Sequence, residues 1–307
     1  MRPSDLSRHL AQHGSSPDEA LRKQALFDLI LAAFAGVSAA PAEHALWVPG
    51  RLEIFGKHTD YGGGHSLVAP VPRGFALVAG SRSDGIVTIH DASRREHFVI
   101  ASQSGLDADE ALKGWRRYAL TTVRRIARNF PGAPLGADIV LASDLPPASG
   151  MSSSSALIVA LAATLVRRGQ LEARAEWQAN ITDAADAAGY YACIENGLPF
   201  GSLTGDAGVG THGGSEDHVA IVCGKPDHGS AWTFVPVAHV ADVRIPAGWR
   251  FVIASSGVAA RKTGAARDGY NNLALGVRTL LEIWNTHEPA QPSLRAALTS
   301  EIGRAHV

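Results

Sequence analysis

The sequence predicts an α+β fold, with mixed and antiparallel strands packed against helices. Three observations carry this. The opening part of the chain is rich in strand-like apolar runs. Strand and helix patterns do not alternate in the regular rhythm of a doubly wound sheet. No G-x-G-x-x-G string follows a first strand, so a dinucleotide-binding fold is unsupported.

The first element is a helix. Ser16 precedes Pro17, Asp18 and Glu19: a capping hydroxyl, a proline whose missing N–H costs nothing in a first turn, then acids facing the helix dipole. The pattern fades at Gly36. Residues 25–40, behind Arg22 and Lys23, have the outline of a targeting segment, but Asp28 interrupts them, so an ordinary amphipathic helix is expected. Strand-like runs follow at residues 45–48, 53–55, 74–79, 86–90 and 96–100, with a glycine-punctuated loop at 58–65. Residues 112–129 place Leu112, Trp115, Leu120, Val123 and Ile126 at helical spacing. Residues 137–142 read as a strand and 156–166 as an apolar helix. Residues 177–194 read as one further helix, closed by Asn196–Gly197. A glycine-rich loop covers 199–214. Residues 219–222, 232–237 and 251–254 read as strands, and 270–284 as a helix.

A length of 307 residues implies roughly two domains at about 150 residues each. Hydrophobic residues make up 46% against 19% charged, which excludes extended disorder. With 28 basic and 29 acidic residues there is no bulk attraction to nucleic acid or to an anionic membrane. No apolar span reaches the roughly 20 residues of a membrane helix. Cys193 and Cys223 have no zinc or disulfide-framework spacing, so a reducing, cytoplasmic setting is expected. Cys223 is expected in the core of an apolar strand.

Three constellations can carry chemistry. The first is Pro49–Gly50–Arg51 followed by Gly56–Lys57–His58–Thr59–Asp60–Tyr61–Gly62–Gly63–Gly64. Its glycines permit close backbone approach to a ligand. Asp60 and His58 suit vicinal hydroxyls, and Arg51 suits a phosphoryl group. A tight turn with a solvated tip fits the same string. The second is residues 145–155, Leu-Pro-Pro-Ala-Ser-Gly-Met and four serines, between a strand and an apolar helix. Small residues at a helix N-terminus expose N–H groups to an anion, and the serines add donors or a Mg²⁺ ligand. It is not a Walker A loop, since Gly-Lys-[Ser/Thr] is absent, nor a G-x-S-x-G elbow. A serine-capped helix after a proline turn also fits. The third is residues 208–218, a glycine-rich loop delivering Asp217, which suits a base toward a hydroxyl. Glu195 is placed to hold Mg²⁺ with a cradle serine. Asp217 also fits an ordinary helix N-cap or surface acid.

In this order the three resemble the GHMP sugar-kinase superfamily, and galactokinases above all. Gly50, Arg51, Gly56, His58, Asp60 and Tyr61 match the galactokinase opening signature. Pro146, Gly150, Met151 and Ser152–Ser154 match the phosphate loop. Gly210 to Asp217 matches G-x-x-x-G-x-x-D-Q with His218 in place of Gln. Trp115 and Tyr118 form a W-x-x-Y that galactokinases also carry. The resemblance implies a two-lobed fold and an ATP- and Mg²⁺-dependent phosphorylation of the anomeric hydroxyl of a monosaccharide. Asp217 and Arg51 would be catalytic. Lys57, His58, Asp60 and Tyr270 would bind the sugar. Pro146, Gly150, Ser152, Ser153 and Ser154 would hold ATP, with Ser154 and Glu195 on the metal. Residues 1–225 would form the N-terminal lobe and 226–300 part of a C-terminal one. The superfamily's later glycine-rich motif has no counterpart after Leu273, and residues 301–307 look non-native, so an incomplete second lobe is expected.

Two departures bear on the substrate. Glu53 replaces the signature Asn, and Lys57 replaces a Glu that accepts from a sugar hydroxyl. The swap at Lys57 reverses charge and donor character, which points to an acidic sugar; plain galactose with Lys57 turned to solvent fits equally. A sugar-binding sensor or pseudokinase without turnover is the alternative function. Mevalonate or homoserine kinases are disfavoured by the Gly56–Tyr61 string.

Overall fold

The computed structural model describes residues 6–12, 15–101, 112–146, 149–249, 251–254, 265–301 and 303. Its backbone is organised by one long strand. Strand β2 (His65–Ser81) pairs antiparallel along one side with β1 (His44–Phe55). Its other side is shared: Phe75–Ser81 meets β5 (Ala137–Ser143), and His65–Val68 meets β6 (His228–Thr233). β3 (Ile86–Asp91) runs parallel to β5 and antiparallel to β4 (Glu96–Ala101), and β7 (Ala238–Arg244) closes the far edge against β6. The order β4-β3-β5-β2-β6-β7, with β1 on β2, is a mostly antiparallel mixed sheet, as the α+β reading expects.

The helices cover this sheet. α1 (Leu6–Gln12) leads into α2 (Pro17–Val37), which starts at the expected Ser16 cap; Glu19, read in sequence as a dipole partner, completes a capping box with it. Phe27, Ile30 and Phe34 of α2 pack on Ala76, Val78 and Val140. The opposite face is covered by α3 (Trp115–Asn129) and α4 (Ser153–Arg168). α4 is apolar on nearly all sides because it is enclosed on nearly all sides. Leu161 at its centre is 0% exposed. Leu161→Ala is expected to cost about 2–5 kcal/mol, through lost transfer energy and the cavity left behind. A drop of that size in urea-unfolding free energy checks it.

Several elements differ from the sequence reading. The runs 45–48 and 53–55 are one strand, β1, and 74–79 is the later part of β2. Residues 177–194 are not one helix. α5 (Ala175–Gln178) ends early, and α6 (Ala184–Asn196) starts afresh where the Asp183 carboxylate accepts from the Asp186 N–H at 2.8 Å. A side-chain cap there outweighs the continuous apolar pattern. Residues 219–222 belong to a helix, α7 (Glu216–Val222), since a four-residue apolar run has no decisive period. Cys223 is therefore the half-buried C-cap of α7 and not a core strand residue. The run 232–237 stops as strand at Thr233, and the exposed β7 was not signalled. Residues 251–254 form no strand and lie exposed, Val252 at 90%. Near the end, α8 (Ala265–His287) and the short α9 (Leu294–Thr299) follow.

Candidate active site

The pairing of β1 with β2 shifts register between Pro49 and Arg51 and again between Glu53 and Phe55. Pro49 has no N–H to offer the ladder, and such a shift re-aims the next side chain. The Arg51 N–H leaves the sheet and donates to Met151 O at 3.3 Å, tying β1 to the serine loop. Gly50 makes this crossing possible: a Cβ there would lie 2.6 Å from Leu145 Cδ2 and 2.8 Å from Met151 O.

Arg51 is the hub of a cleft of about 760 Å³. Its Nε donates to Asp217 Oδ1 at 2.7 Å and its Nη2 lies 2.6 Å from the same oxygen. Nη1 donates to Gly150 O at 2.8 Å, and Nη2 is 3.6 Å from Glu53 Oε2. One guanidinium thus joins β1, the serine loop and the first turn of α7. Burial is the largest single influence and works against its charge, but Asp217, Glu216 and Glu53 together raise its pKa.

The turn after β1 forms one end of the cleft. His58 adopts φ 60°, and a 3-10 helix at Thr59–Gly62 follows. The His58 ring stacks on Tyr61 at 5.3 Å and meets Tyr270 of α8 edge-on at 5.1 Å. Asp60 is 7% exposed, and its Oδ2 accepts from the Glu216 N–H at 3.3 Å. Burial pushes the Asp60 carboxyl up to about 6, the Glu216 N–H draws it back, and Asp217 pushes it higher. Lys57 is exposed on the rim of the cleft.

The serine loop forms a second wall. Gly150 (φ 74°) and Ser152 (φ 53°) both take the left-handed conformation, and α4 starts without a side-chain cap. Its first-turn N–H groups are left to whatever binds there. Gly150 and Ser152–Ser155 line the cleft, while the Pro146 carbonyl accepts from Ser149 at 2.8 Å and shapes the loop from behind. Phe75, Leu145, Trp115 and Tyr118 add apolar lining to the cleft, beside the charged Asp91 and Arg94.

Glu195, at the end of α6, is 5% exposed. The serine that donates to it, at 2.8 Å, is Ser155, one residue beyond the expected Ser154. Ser155 Oγ also lies 3.4 Å from Asp217 Oδ2. A hydroxyl and two carboxylates converge there, a donor set that suits Mg²⁺, which is held by one or two carboxylates while keeping water and phosphate ligands. Among the described residues no group of three or more His, Cys, Asp or Glu forms a ready-made metal cage. His218 is enclosed, with Nε2 3.3 Å from Glu195 Oε2.

The loop before α7 is anchored at both ends. Asn196 Nδ2 donates to Gly213 O at 2.9 Å, and Asn271 of α8 takes the His212 N–H at 2.9 Å and donates to Gly210 O at 3.1 Å. Gly214 leaves room for Asp60: a Cβ there would sit 2.1 Å from Asp60 Oδ2 and push that carboxylate aside. Arg51, Asp60, Lys57, His58, Tyr270, Gly150, the serines, Glu195 and Asp217 are therefore brought to one cleft. Sequence reasoning keeps Ser155 in the serine cradle but pairs Ser154 with Glu195, and it does not single out Glu216. Four consecutive serines conceal the first, and an acid beside Asp217 in a first helical turn looks like a dipole partner for the second.

Two family models match: "Galactokinase galactose-binding signature" over residues 33–81 and "GHMP kinases N terminal domain" over residues 117–199. A Chloroflexus aggregans galactokinase is 26% identical over 263 residues, 84% of this chain and 60% of that protein. A Glaesserella parasuis galactokinase is 30% identical over 132 residues, 42% of this chain and 33% of that one. The chain thus spans less than two thirds of the relatives it matches. In fold it is similar to Lactococcus lactis galactokinase, solved with galactose, at TM-score 0.63 and 17% identity, covering 86% of this chain and 63% of that one.

Proposed function

We propose, on the premise that this chain is a galactokinase-like GHMP kinase, that it takes part in ATP- and Mg²⁺-dependent phosphorylation of the anomeric hydroxyl of galactose or a related sugar. The observation that carries the reading is the Arg51–Asp217 pair, set between the sugar-signature turn and the serine loop. Phosphoryl transfer asks mainly for positioning and charge neutralisation.

In this reading Asp60, His58 and Tyr270 hold the sugar, and Asp217 accepts or orients the proton of the attacking hydroxyl. Arg51 faces the transferring phosphoryl. Gly150 and the first turn of α4 cradle the nucleotide phosphates, with Ser152, Ser153 and Ser154 as added donors. Glu195 and Ser155 would hold Mg²⁺, which when bound offsets phosphate charge. Residues 1–225, carrying all of these but Tyr270, serve as the N-terminal lobe, with 226–300 as part of a second. No described helix is long and apolar enough to cross a membrane. A small-molecule sugar partner and a cytoplasmic setting are part of the same proposal.

Lys57 lies exposed on the rim of the cleft, a placement that suits plain galactose as well as an acidic sugar. ADP release measured over galactose, galacturonate and a no-sugar control tests both levels of the reading. Lys57→Glu is expected to shift the galacturonate-to-galactose ratio of kcat/KM toward galactose by about tenfold, the worth of one charge-assisted contact at a rim site. An unchanged ratio sinks the acidic-sugar assignment. No sugar-dependent ADP release at all favours a sensor.

A further inference from the structure

We propose that Arg125 of α3, paired with Asp206, is a positioning residue for Glu195: the pair pins the loop that closes the end of α6 and so orients the carboxylate offered to Mg²⁺. What the device serves rests on the kinase reading; that it holds the end of α6 does not.

Glu195 sits in the last turn of α6, where backbone carbonyls have no partner within the helix and the turn frays. The loop that follows supplies the partners. Asp206 N–H donates to Gly197 O and Val209 N–H to Glu195 O, each at 2.9 Å. The loop lies close against the helix end: a Cβ on Gly208 would be 2.5 Å from Glu195 O. Gly208 N–H donates to Asp206 Oδ1 at 2.9 Å, so the Asp206 carboxylate organises the segment that caps Glu195.

α3 holds this loop from outside the cleft. Arg125 Nη2 donates to Leu198 O at 2.6 Å, and Nη1 lies 3.5 Å from Asp206 Oδ1. Its Nε donates to Asn129 Oδ1 at 2.8 Å, which fixes the plane of the guanidinium. Arg124 Nε lies 3.4 Å from Asp206 Oδ2. The Arg125 side chain is fully enclosed and that of Asp206 is 3% exposed. Such a cluster is a poor source of stability. Three charged groups leave water, and Arg125 Nη1, Arg124 Nε and Asp206 Oδ2 meet by charge alone, without hydrogen bonds. Apolar side chains would fill the same space at less cost. What the guanidinium adds is direction: one planar fork holds Leu198 at the start of the loop and Asp206 further along it. Neither Arg125 nor Asp206 lines the cleft, so their effect on the site passes through the loop and Glu195.

Wild type is compared with Arg125→Met, Arg125→Lys and Phe27→Ala, a control that weakens the core under α2, away from the loop. Mn²⁺, standing in for Mg²⁺, is titrated into each protein with a non-hydrolysable ATP analogue and followed by EPR; galactose affinity is measured alongside by calorimetry. R125M should bind Mn²⁺ about tenfold more weakly, the usual loss when the support behind a metal-holding side chain is removed. R125K should lose less, since it keeps the charge without the fork. F27A should melt lower yet keep wild-type Mn²⁺ affinity, and galactose affinity should be the same in all four. In amide hydrogen exchange, Val209 should open about tenfold or more faster in R125M than in F27A.

A Mn²⁺ affinity that falls no further in R125M than in F27A overturns the proposal. So does an equal loss of galactose affinity, or Val209 exchange that neither Arg125 variant changes. Should R125M fail to fold, R125K carries the same comparisons. If Glu195→Gln leaves Mn²⁺ affinity at the wild-type level, the metal role of Glu195 in the kinase reading falls instead, and Val209 exchange still decides whether Arg125 holds the end of α6.

Discussion

Asp217→Asn is expected to lower sugar-dependent turnover by about 10²–10⁴-fold, the usual contribution of a positioned general base. Sugar and ATP binding should change little. Asn has nearly the same shape, so it still meets Arg51 and the Ser155 hydroxyl, which now contact Asp217 at 2.6 Å and 3.4 Å. What disappears is the negative charge that, in the proposed reading, accepts or orients the hydroxyl proton. The loss should therefore fall on kcat with KM held, the pattern of an interaction made in the transition state. Single-turnover kinetics beside equilibrium titration of each ligand check this. A comparable loss in KM would place Asp217 in sugar binding.

Arg51→Ala should be nearly as costly and differently distributed. Removing a donor that faces developing charge costs about 10²–10³-fold in turnover. The same side chain also ties Gly150 O and Asp217 together at 2.8 Å and 2.7 Å, so the serine loop and α7 lose their common anchor. Stability should fall by about 3–5 kcal/mol, because Asp217 and Glu53 are left without their cation. Arg51→Lys keeps the charge but cannot fork between Asp217 and Gly150, so it should recover stability better than turnover. Thermal melts and kinetics on the three proteins separate the effects. Equal recovery of both by Lys would reduce Arg51 to a counter-charge.

How much of this was legible in the sequence depended on contrast. Arg51, Asp60 and Asp217 stand out because each lies in or beside a glycine-punctuated string, although a solvated turn tip and an ordinary helix N-cap fit the same strings. The capped start of α2 and the apolar α4 were legible because local pattern and tertiary burial agree. β7 was not, since every residue in it is exposed and no alternation marks an inward face. α7 looked like a strand because four apolar residues cannot show a period. Ser155 was hidden by three identical neighbours. Only the phase of α4 singles it out, since it shares the buried face with Ile158, Val159 and Ala162. Glu216 was hidden by the company of Asp217, and only the path of its side chain toward Ser66 separates the two acids.

The most direct test of the account is the product itself. The chain, incubated with ATP, Mg²⁺ and galactose or galacturonate, is followed by phosphorus NMR. The account predicts a sugar phosphate whose phosphorus couples to the anomeric proton, growing as ATP falls and absent in Asp217→Asn. Free phosphate alone, a phosphate elsewhere on the ring, or sugar binding with no loss of ATP would contradict it.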